Sequence, residues 1–306
     1  MQSVFSNEVE EIRRSLYVDD LISGGNTLEE TENLKKSCVT IFSEGKFELH
    51  KWHSNNPKLE LEPEPFEEVE TSYAKEQLGV KAGEIKLLGV PWDKNTDSIK
   101  VNFPEPLKEI TKRNVLGNIA KIYDPLGFVS PTTLQGKLIY REICDERMSW
   151  DKELNPELLT KWISWELNRP KEVEIARSLV RYQEEIDAID LHAFGNASGK
   201  GVSSVVYAIT RQPSGVSQGI VALKSRLAKK GLTIPRLKLI AGHMSANLLH
   251  NAREALMGFP IRNTFSWLDS RVALHWIRGN GEYKQFVSHR VHKIQEKDYI
   301  QWRYVS

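Results

Sequence analysis

Leu16-Tyr17-Val18-Asp19-Asp20-Leu21-Ile22-Ser23-Gly24-Gly25 reads as one small hairpin with two carboxylates at its tip. Leu16-Tyr17-Val18 is a short apolar strand, Leu21-Ile22-Ser23 is its return, and Gly24-Gly25 closes the unit. Aspartate is a poor strand former, so two in succession between such strands need solvent or a cation to offset their repulsion. An acidic surface turn supplies the first and accounts for most Asp-Asp pairs. A pair of divalent ions on a nucleotide's phosphates supplies the second. The rest of the chain has to decide between them.

With 306 residues and 40% hydrophobic content, the chain can build two domains with their own cores. Its two cysteines, Cys38 and Cys144, have no Cys-x-x-Cys spacing, which argues against a disulfide framework or a zinc knuckle and fits a reducing compartment. No apolar run approaches the ~20 residues that span a bilayer. The acidic start, Asn7-Glu8-Val9-Glu10-Glu11, is not a signal peptide. The expectation is a soluble, intracellular, cytoplasmic protein with no membrane partner.

The net charge of +1 conceals an asymmetry. Residues 186–306 hold 17 Lys and Arg against 7 Asp and Glu, a net +10, which leaves −9 for residues 1–185. Opposite charges suggest two domains, the C-terminal one suited to a polyanion such as nucleic acid. A well-solvated basic surface is the alternative.

Thr27 is placed to cap a helix that carries Glu29, Glu30 and Glu32 in its first turn and Leu34, Cys38, Ile41 and Phe42 as its apolar stripe, ending near Gly45. Phe47 to Trp52 alternates as a strand should, and 54–70 reads as an acidic surface loop. Residues 85–92 and 98–101 predict a hairpin around Asp93–Asp97. Helices follow at about 108–122, 132–147 and 156–168, then a linker at 169–187. Strands at 189–195, 201–209 and 219–225 precede a helix at 235–255. A strand at 263–268 feeds a helix over 269–278, and another helix spans 284–296.

These segments, in this order, resemble the pol polyprotein of BEL/Pao-type LTR retrotransposons, from the reverse transcriptase palm into the ribonuclease H domain. The resemblance rests on Arg14-Ser15-Leu16-Tyr17-Val18-Asp19-Asp20, where Tyr-Val-Asp-Asp is a reverse transcriptase signature, and on Phe47-Glu48-Leu49-His50-Lys51-Trp52-His53-Ser54-Asn55. It continues through Leu87-Leu88-Gly89-Val90-Pro91-Trp92, Lys112-Arg113, Tyr123-Asp124-Pro125-Leu126-Gly127 and Trp150-Asp151. It ends with Ile234-Pro235-Arg236-Leu237, Trp267-Leu268-Asp269-Ser270 and Phe286-Val287-Ser288-His289-Arg290-Val291.

The fold this implies is α/β: an α+β palm remnant over 1–105, a helical thumb and connection over 106–187, and a ribonuclease H-like domain with a mixed sheet over 188–306, truncated at its C-terminus. Asp19 and Asp20 would be two of three palm carboxylates, and the Leu88-Gly89 turn a primer grip. The third palm aspartate and the fingers would lie upstream, so the expectation is a polymerase fragment incomplete on its own, with an upstream polyprotein segment as a possible partner.

The family's ribonuclease H cluster has four acids. Its first position, Phe-x-Asp-Ala-Ser, is here Phe194-Gly195-Asn196-Ala197-Ser198. Its second, Pro-Arg-Leu-Glu-Leu, is Pro235-Arg236-Leu237-Lys238-Leu239. The third matches Asp269, and the fourth follows a segment represented by Trp302-Arg303-Tyr304-Val305. The resemblance therefore implies a degraded site. Asn196 and Lys238 stand where acids are lost, no metal is expected to be bound in this chain, and the family's Mg2+ or Mn2+ has no role here as cofactor. Lys238 and Asp269 are expected within ion-pair distance of each other.

Lys224, Arg226, Lys229, Lys230 and Arg236 form the densest basic group and are candidates for nucleic-acid contact beside Leu88 and Gly89. His289 and His292 lack a completing ligand and read as exposed helix residues, while His243 and His250 read as packing or surface residues. Most tryptophans sit beside Leu and Ile and suit core packing. No Asp-Thr-Gly, Asp-Ser-Gly or Gly-x-x-x-x-Gly-Lys pattern exists, which argues against peptidase and ATPase readings. Two functions follow: an inactive fragment of an RNA-directed DNA polymerase and ribonuclease H, or a retained non-catalytic module that binds an RNA–DNA hybrid or duplex.

Overall fold

The structure, a computed structural model, describes residues 6–25, 27–60 and 84–306. Residues 61–70 of the expected acidic loop lie outside this set. The chain forms two units, one of residues 1–99 with 175–177 and 183–185, the other of 100–174, 178–182 and 186–306.

In the first unit, α1 (Ser6–Ser15) leads into β1 (Leu16–Tyr17) and β2 (Asp20–Leu21), which pair antiparallel with Tyr17 opposite Asp20. Val18, expected on the strand, instead turns the chain at φ 57°, an unusual conformation for a β-branched residue. The helix α2 (Leu28–Glu44) is capped as the sequence suggests, by Thr27 Oγ1 accepting the Glu30 amide at 3.1 Å. At its other end the left-handed residue is Lys46 (φ 60°), not Gly45, and the Phe47 amide donates to the Phe42 carbonyl at 3.0 Å. That pairing is a Schellman closure.

The strand expected over 47–52 does not form. Phe47 is exposed and Lys51 has φ 57°, which an extended strand does not accommodate. Alternation makes a strand only where a neighbouring strand takes up the backbone groups. Residues 85–92 likewise divide into β3 (Glu84–Leu87) and β4 (Val90–Asp93), joined by Leu88 (φ 48°) and Gly89 (φ 84°) in a tight two-residue turn. β4 pairs with β5 (Ser98–Asn102). Arg177 clasps Asp97 at 2.6 and 2.8 Å, and the Trp92 indole donates to the same carboxylate at 3.0 Å. The expected linker contains a further strand, β6 (Glu172–Ala176), fourth in the order β3-β4-β5-β6.

In the second unit, α3 (Lys112–Ala120) begins four residues later than periodicity suggests, because Thr111 caps it by accepting the Asn114 amide. The helices α4 (Ser130–Asp145) and α5 (Pro156–Asn168) pack with it around Val115, Ile143, Leu158, Trp162 and Trp165. The α5 tryptophans are therefore core residues, their rings 4.7 Å apart.

The same unit holds a five-stranded sheet of β7 (Ala188–Ala197), β8 (Gly201–Gln212), β9 (Gly215–Leu227), β10 (Ile261–Leu268) and β11 (Gln301–Tyr304). Its order is β11-β10-β7-β8-β9. β7, β8 and β9 form an antiparallel meander, while β10 runs parallel to β7 and β11 parallel to β10. The parallel pairs need helical crossovers, supplied by α6 (Ile234–Ala255), then α7 (Arg271–Arg278) and α8 (Gln285–Gln295). One sheet face packs on these helices through Leu191, Val206, Leu239, Leu249, Leu268 and Ile294. The strand β11 was not anticipated, since it pairs with β10 across two intervening helices and no hairpin turn marks it.

The Asp124-Pro125-Leu126-Gly127 segment ties α4 to the sheet. Asp124 accepts the Phe128 and Val129 amides at 2.8 and 2.9 Å, and the Leu126 carbonyl accepts the Leu223 amide of β9 at 2.7 Å. Gly127 has φ +78°, and a Cβ there would lie 2.0 Å from the Leu223 carbonyl oxygen, so no other residue fits. Helices from 112–168 and the sheet from 188 onward thus share one unit. Among the described residues no helix is long and apolar enough to cross a membrane.

Candidate functional site at the ends of β7 and β10

β7 and β10 lie side by side in parallel, with Phe194 opposite Trp267 and Gly195 opposite Leu268. Their ends therefore deliver Asn196 and Asp269 to one place. The helix α6 reaches the same place because residue 195 is glycine: a Cβ there would come within 3.0 Å of the Ala241 carbonyl oxygen. One turn earlier on α6, Lys238 extends over the strand ends.

The Lys238 ammonium lies 2.5 and 2.7 Å from the two oxygens of Asp269 and 2.5 Å from Asn196 Oδ1. Asn196 Oδ1 also accepts the Ala197 amide at 2.6 Å. Both partners are donors, which fixes the amide orientation. The Lys238 side chain is 12% exposed and that of Asp269 37%, so the cation is the more deeply held member. The ion pair expected from the sequence is present.

This donor set does not fit a divalent cation. Magnesium and its relatives require several oxygen ligands and are bound through carboxylates. Here one carboxylate and one amide oxygen are both engaged by an ammonium group. Among the described residues no three His, Cys, Asp or Glu side chains are gathered as a metal site.

Asp19 lies in the turn and Asp20 on β2, both exposed, and no third carboxylate joins them among the described residues. Leu88 and Gly89 form the tight turn already described. The basic group is only partly open. Lys224 and Arg226 are exposed on β9 and Lys229 is exposed beyond it, but Lys230 pairs with Asp145 at 2.6 Å. Arg236 is half-buried, with its guanidinium 5.4 Å from the Phe286 ring centroid. His289 and His292 are exposed on α8. His243 is held below the usual imidazole range, by burial first and then by nearby cations, and His250 bonds the Tyr299 hydroxyl at 2.7 Å.

Two features escaped the sequence reading. Asp190, buried on β7, is clasped by Arg262 and Asn263. On the sheet face away from α6, His192, Phe194, Tyr207, Phe265 and Trp267 form a contiguous row of rings. The period-two spacing of 192 with 194 and of 265 with 267 was the available signal.

A family model described as the Pao retrotransposon-like RNaseH-like domain matches residues 111–270, just over half of the chain. No curated protein sequence matches. Among solved structures, the foamy viral protease-reverse transcriptase in complex with dsDNA is similar at 14% identity and a TM-score of 0.39, over 73% of this chain and 45% of that one. The chain thus spans less than half the length of that relative. RNase H1 from the halophilic archaeon Halobacterium salinarum NRC-1 is similar at 16% identity and a TM-score of 0.25, over 39% of this chain and 85% of that one. LC11-RNase H1 in complex with an RNA/DNA hybrid is similar at 11% identity and a TM-score of 0.26, over 38% and 84%.

Proposed function

The chain belongs to the Pao retrotransposon RNaseH-like family, and from that premise we propose that it is a non-catalytic pol segment whose ribonuclease H-like unit grips nucleic acid without cutting it. The observation that carries this is the Lys238 ammonium bridging Asn196 and Asp269. Relative to the acidic cluster of the family, two anions are lost and one cation gained, a change of three charge units. A unit-charge pair at 4 Å is worth about 4 kcal/mol at an effective dielectric near 20, so the change decides against metal occupancy.

The N-terminal part completes the proposal. Asp19 and Asp20 on an exposed hairpin, with no third carboxylate among the described residues, suit an inactive palm remnant. The Leu88-Gly89 turn suits the remnant of a primer grip, and helices α3 to α5 a thumb and connection. The fragment reading and the retained-module reading share this inactivity and differ in whether binding survives. The net +10 of residues 186–306, with Lys224, Arg226 and Lys229 exposed, favours survival.

The test is fluorescence anisotropy with a labelled RNA–DNA hybrid over a salt series, with and without EDTA. The proposal expects binding that weakens steeply with salt and is indifferent to EDTA. Absence of binding at low salt would leave an inherited fold alone, and EDTA-sensitive binding would overturn the metal-free account.

A further inference from the structure

We propose that the seam between α6 and α8, on the helix side of the sheet, is a contact surface for the phosphodiester backbone of a nucleic acid, with Arg290, Lys293 and Lys297 as its cations and Arg236 at one end. The inference rests on the reading that this unit binds nucleic acid, and adds where the backbone is held. On α8, Val287, Val291 and Ile294 are buried in the core shared with the sheet. Phe286, Arg290 and Lys293 stand four and three residues apart, so they line one stripe beside that buried face, and Lys297 continues it just past the helix end. On α6 the same spacing aligns Arg236, Ile240, His243, Asn247 and His250. The two stripes run side by side. At one end the Arg236 guanidinium lies 5.4 Å from the Phe286 ring centroid, and at the other His250 bonds the Tyr299 hydroxyl at 2.7 Å. Lys293 is exposed, and Arg236, His243, Arg290 and Lys297 are half-buried.

The seam gathers positive charge without carboxylate partners. The Arg290 guanidinium stacks 3.8 Å from the same Phe286 ring, so one ring holds two cations in place. Arg290 Nη1 and Lys297 Nζ each donate to a backbone carbonyl, that of Phe286 at 2.8 Å and that of Lys293 at 3.2 Å. Among the described residues no carboxylate pairs with Arg236, Arg290, Lys293 or Lys297. Glu296 is engaged with His292 at 3.4 Å, and Glu254 and Asp298 lie by Tyr299 at the far end. His243 feels the result. Burial first, then the charges of Arg290, Lys297, Lys293 and His289, hold its imidazole below the usual range, and no carboxylate offsets them. The one bond to its Nε2, from Asn247 Nδ2 at 3.3 Å, is neutral.

A row of cations suits a strand of phosphates. From Arg290 to Lys297 the stripe runs about 10 Å at the helical rise, and Arg236 extends it onto α6. Arginine and lysine set along a line meet successive phosphates and release their counterions, without reading sequence. An acidic peptide would be drawn by the same charge, but tight peptide docking needs apolar anchors in pockets. The apolar members of the two stripes are Ile240 and Phe286, and two guanidinium groups already occupy the Phe286 ring. The seam is therefore better matched to a phosphodiester backbone than to a protein segment.

The test uses the whole 306-residue chain and a labelled RNA–DNA hybrid, with anisotropy read over a salt series. Lys293→Gln combined with Lys297→Gln should lower the slope of log K against log salt by about two, because each phosphate contact contributes close to one. Lys293→Arg combined with Lys297→Arg should keep the slope of the unmodified chain. Both variants should melt with the unmodified chain, since neither lysine is buried or paired with an acid among the described residues. An unchanged slope in the glutamine variant, with the unmodified chain bound, would overturn this inference and leave the proposed function standing. No binding by the unmodified chain would overturn both. Displacement by polyglutamate as effective as by unlabelled hybrid at equal charge, and weakened in the glutamine variant, would assign the seam to an acidic protein segment and overturn the inference.

Discussion

β7 and β10 carry a neutralised aspartate at each end of their pairing, and the two ends solve the problem differently. At one end Asp190, 4% exposed, accepts two bonds from the Arg262 guanidinium at 3.2 and 2.6 Å and one from Asn263 at 2.8 Å, with Arg211 at 3.4 Å. At the other, Asp269 meets a single ammonium from α6, with Asn196 as third member. The first cations come from the neighbouring strands β8 and β10, so the clamp is built by sheet register alone. The second comes from a helix docked on Gly195. A planar fork suits a structural clamp, whereas Lys238 is a compact point charge that, on the proposed function, stands where the family would hold a metal ion. One end joins neighbouring strands; the other joins a helix to the strand ends.

That contrast can be broken or sharpened by substitution. The largest effect should come from Asp190→Ala, which strips a buried carboxylate from three charged or polar partners. A loss of about 2–3 kcal/mol in urea unfolding is expected for charge-assisted hydrogen bonds of this kind. A loss no larger than at the other end would erase the distinction. Next, Asn196→Asp combined with Lys238→Glu should make the melting temperature respond to Mn2+. Stabilisation of about 1.4 kcal/mol is expected when the ion is near tenfold above its Kd. The unmodified chain should show no Mn2+ response. Lys238→Ala should cost about 1 kcal/mol, because Asp269 is exposed enough for water to replace the ammonium.

The smallest effect is pH dependence. Burial pushes the Asp190 carboxyl up, but hydrogen bonds from Arg262 and Asn263 and the charges of Arg262 and Arg211 together hold it below the usual range. Its stabilisation is therefore fully present above the unfolded value of about 3.9 and is lost as pH falls from there toward the folded pKa. Asp190→Asn should flatten the acid limb of the stability curve relative to the unmodified chain. An unchanged slope between pH 4 and 2 would place the acid sensitivity elsewhere.

The degree to which the sequence announced this structure tracked local chemistry. Thr27 marked the start of α2, because a cap acts within a few residues. Asn196, Lys238 and Asp269 were readable as one site only through the family order of their segments, since 42 and 31 residues separate Lys238 from its partners. Phe47–Trp52 failed as a strand because pattern does not supply a pairing partner. The strands β6 and β11 were missed because each lies beside a strand distant in the chain, so no hairpin turn marks it. The Asp190 clamp and the aromatic face depend on cross-strand register, which no single strand records.

The most direct test of the central claim is incubation of the intact chain with a labelled RNA–DNA hybrid in Mg2+ and in Mn2+, resolved on a denaturing gel. The account predicts an uncut RNA strand in both metals under conditions where anisotropy shows the hybrid bound. Metal-dependent cleavage that disappears in Asp269→Asn would contradict it.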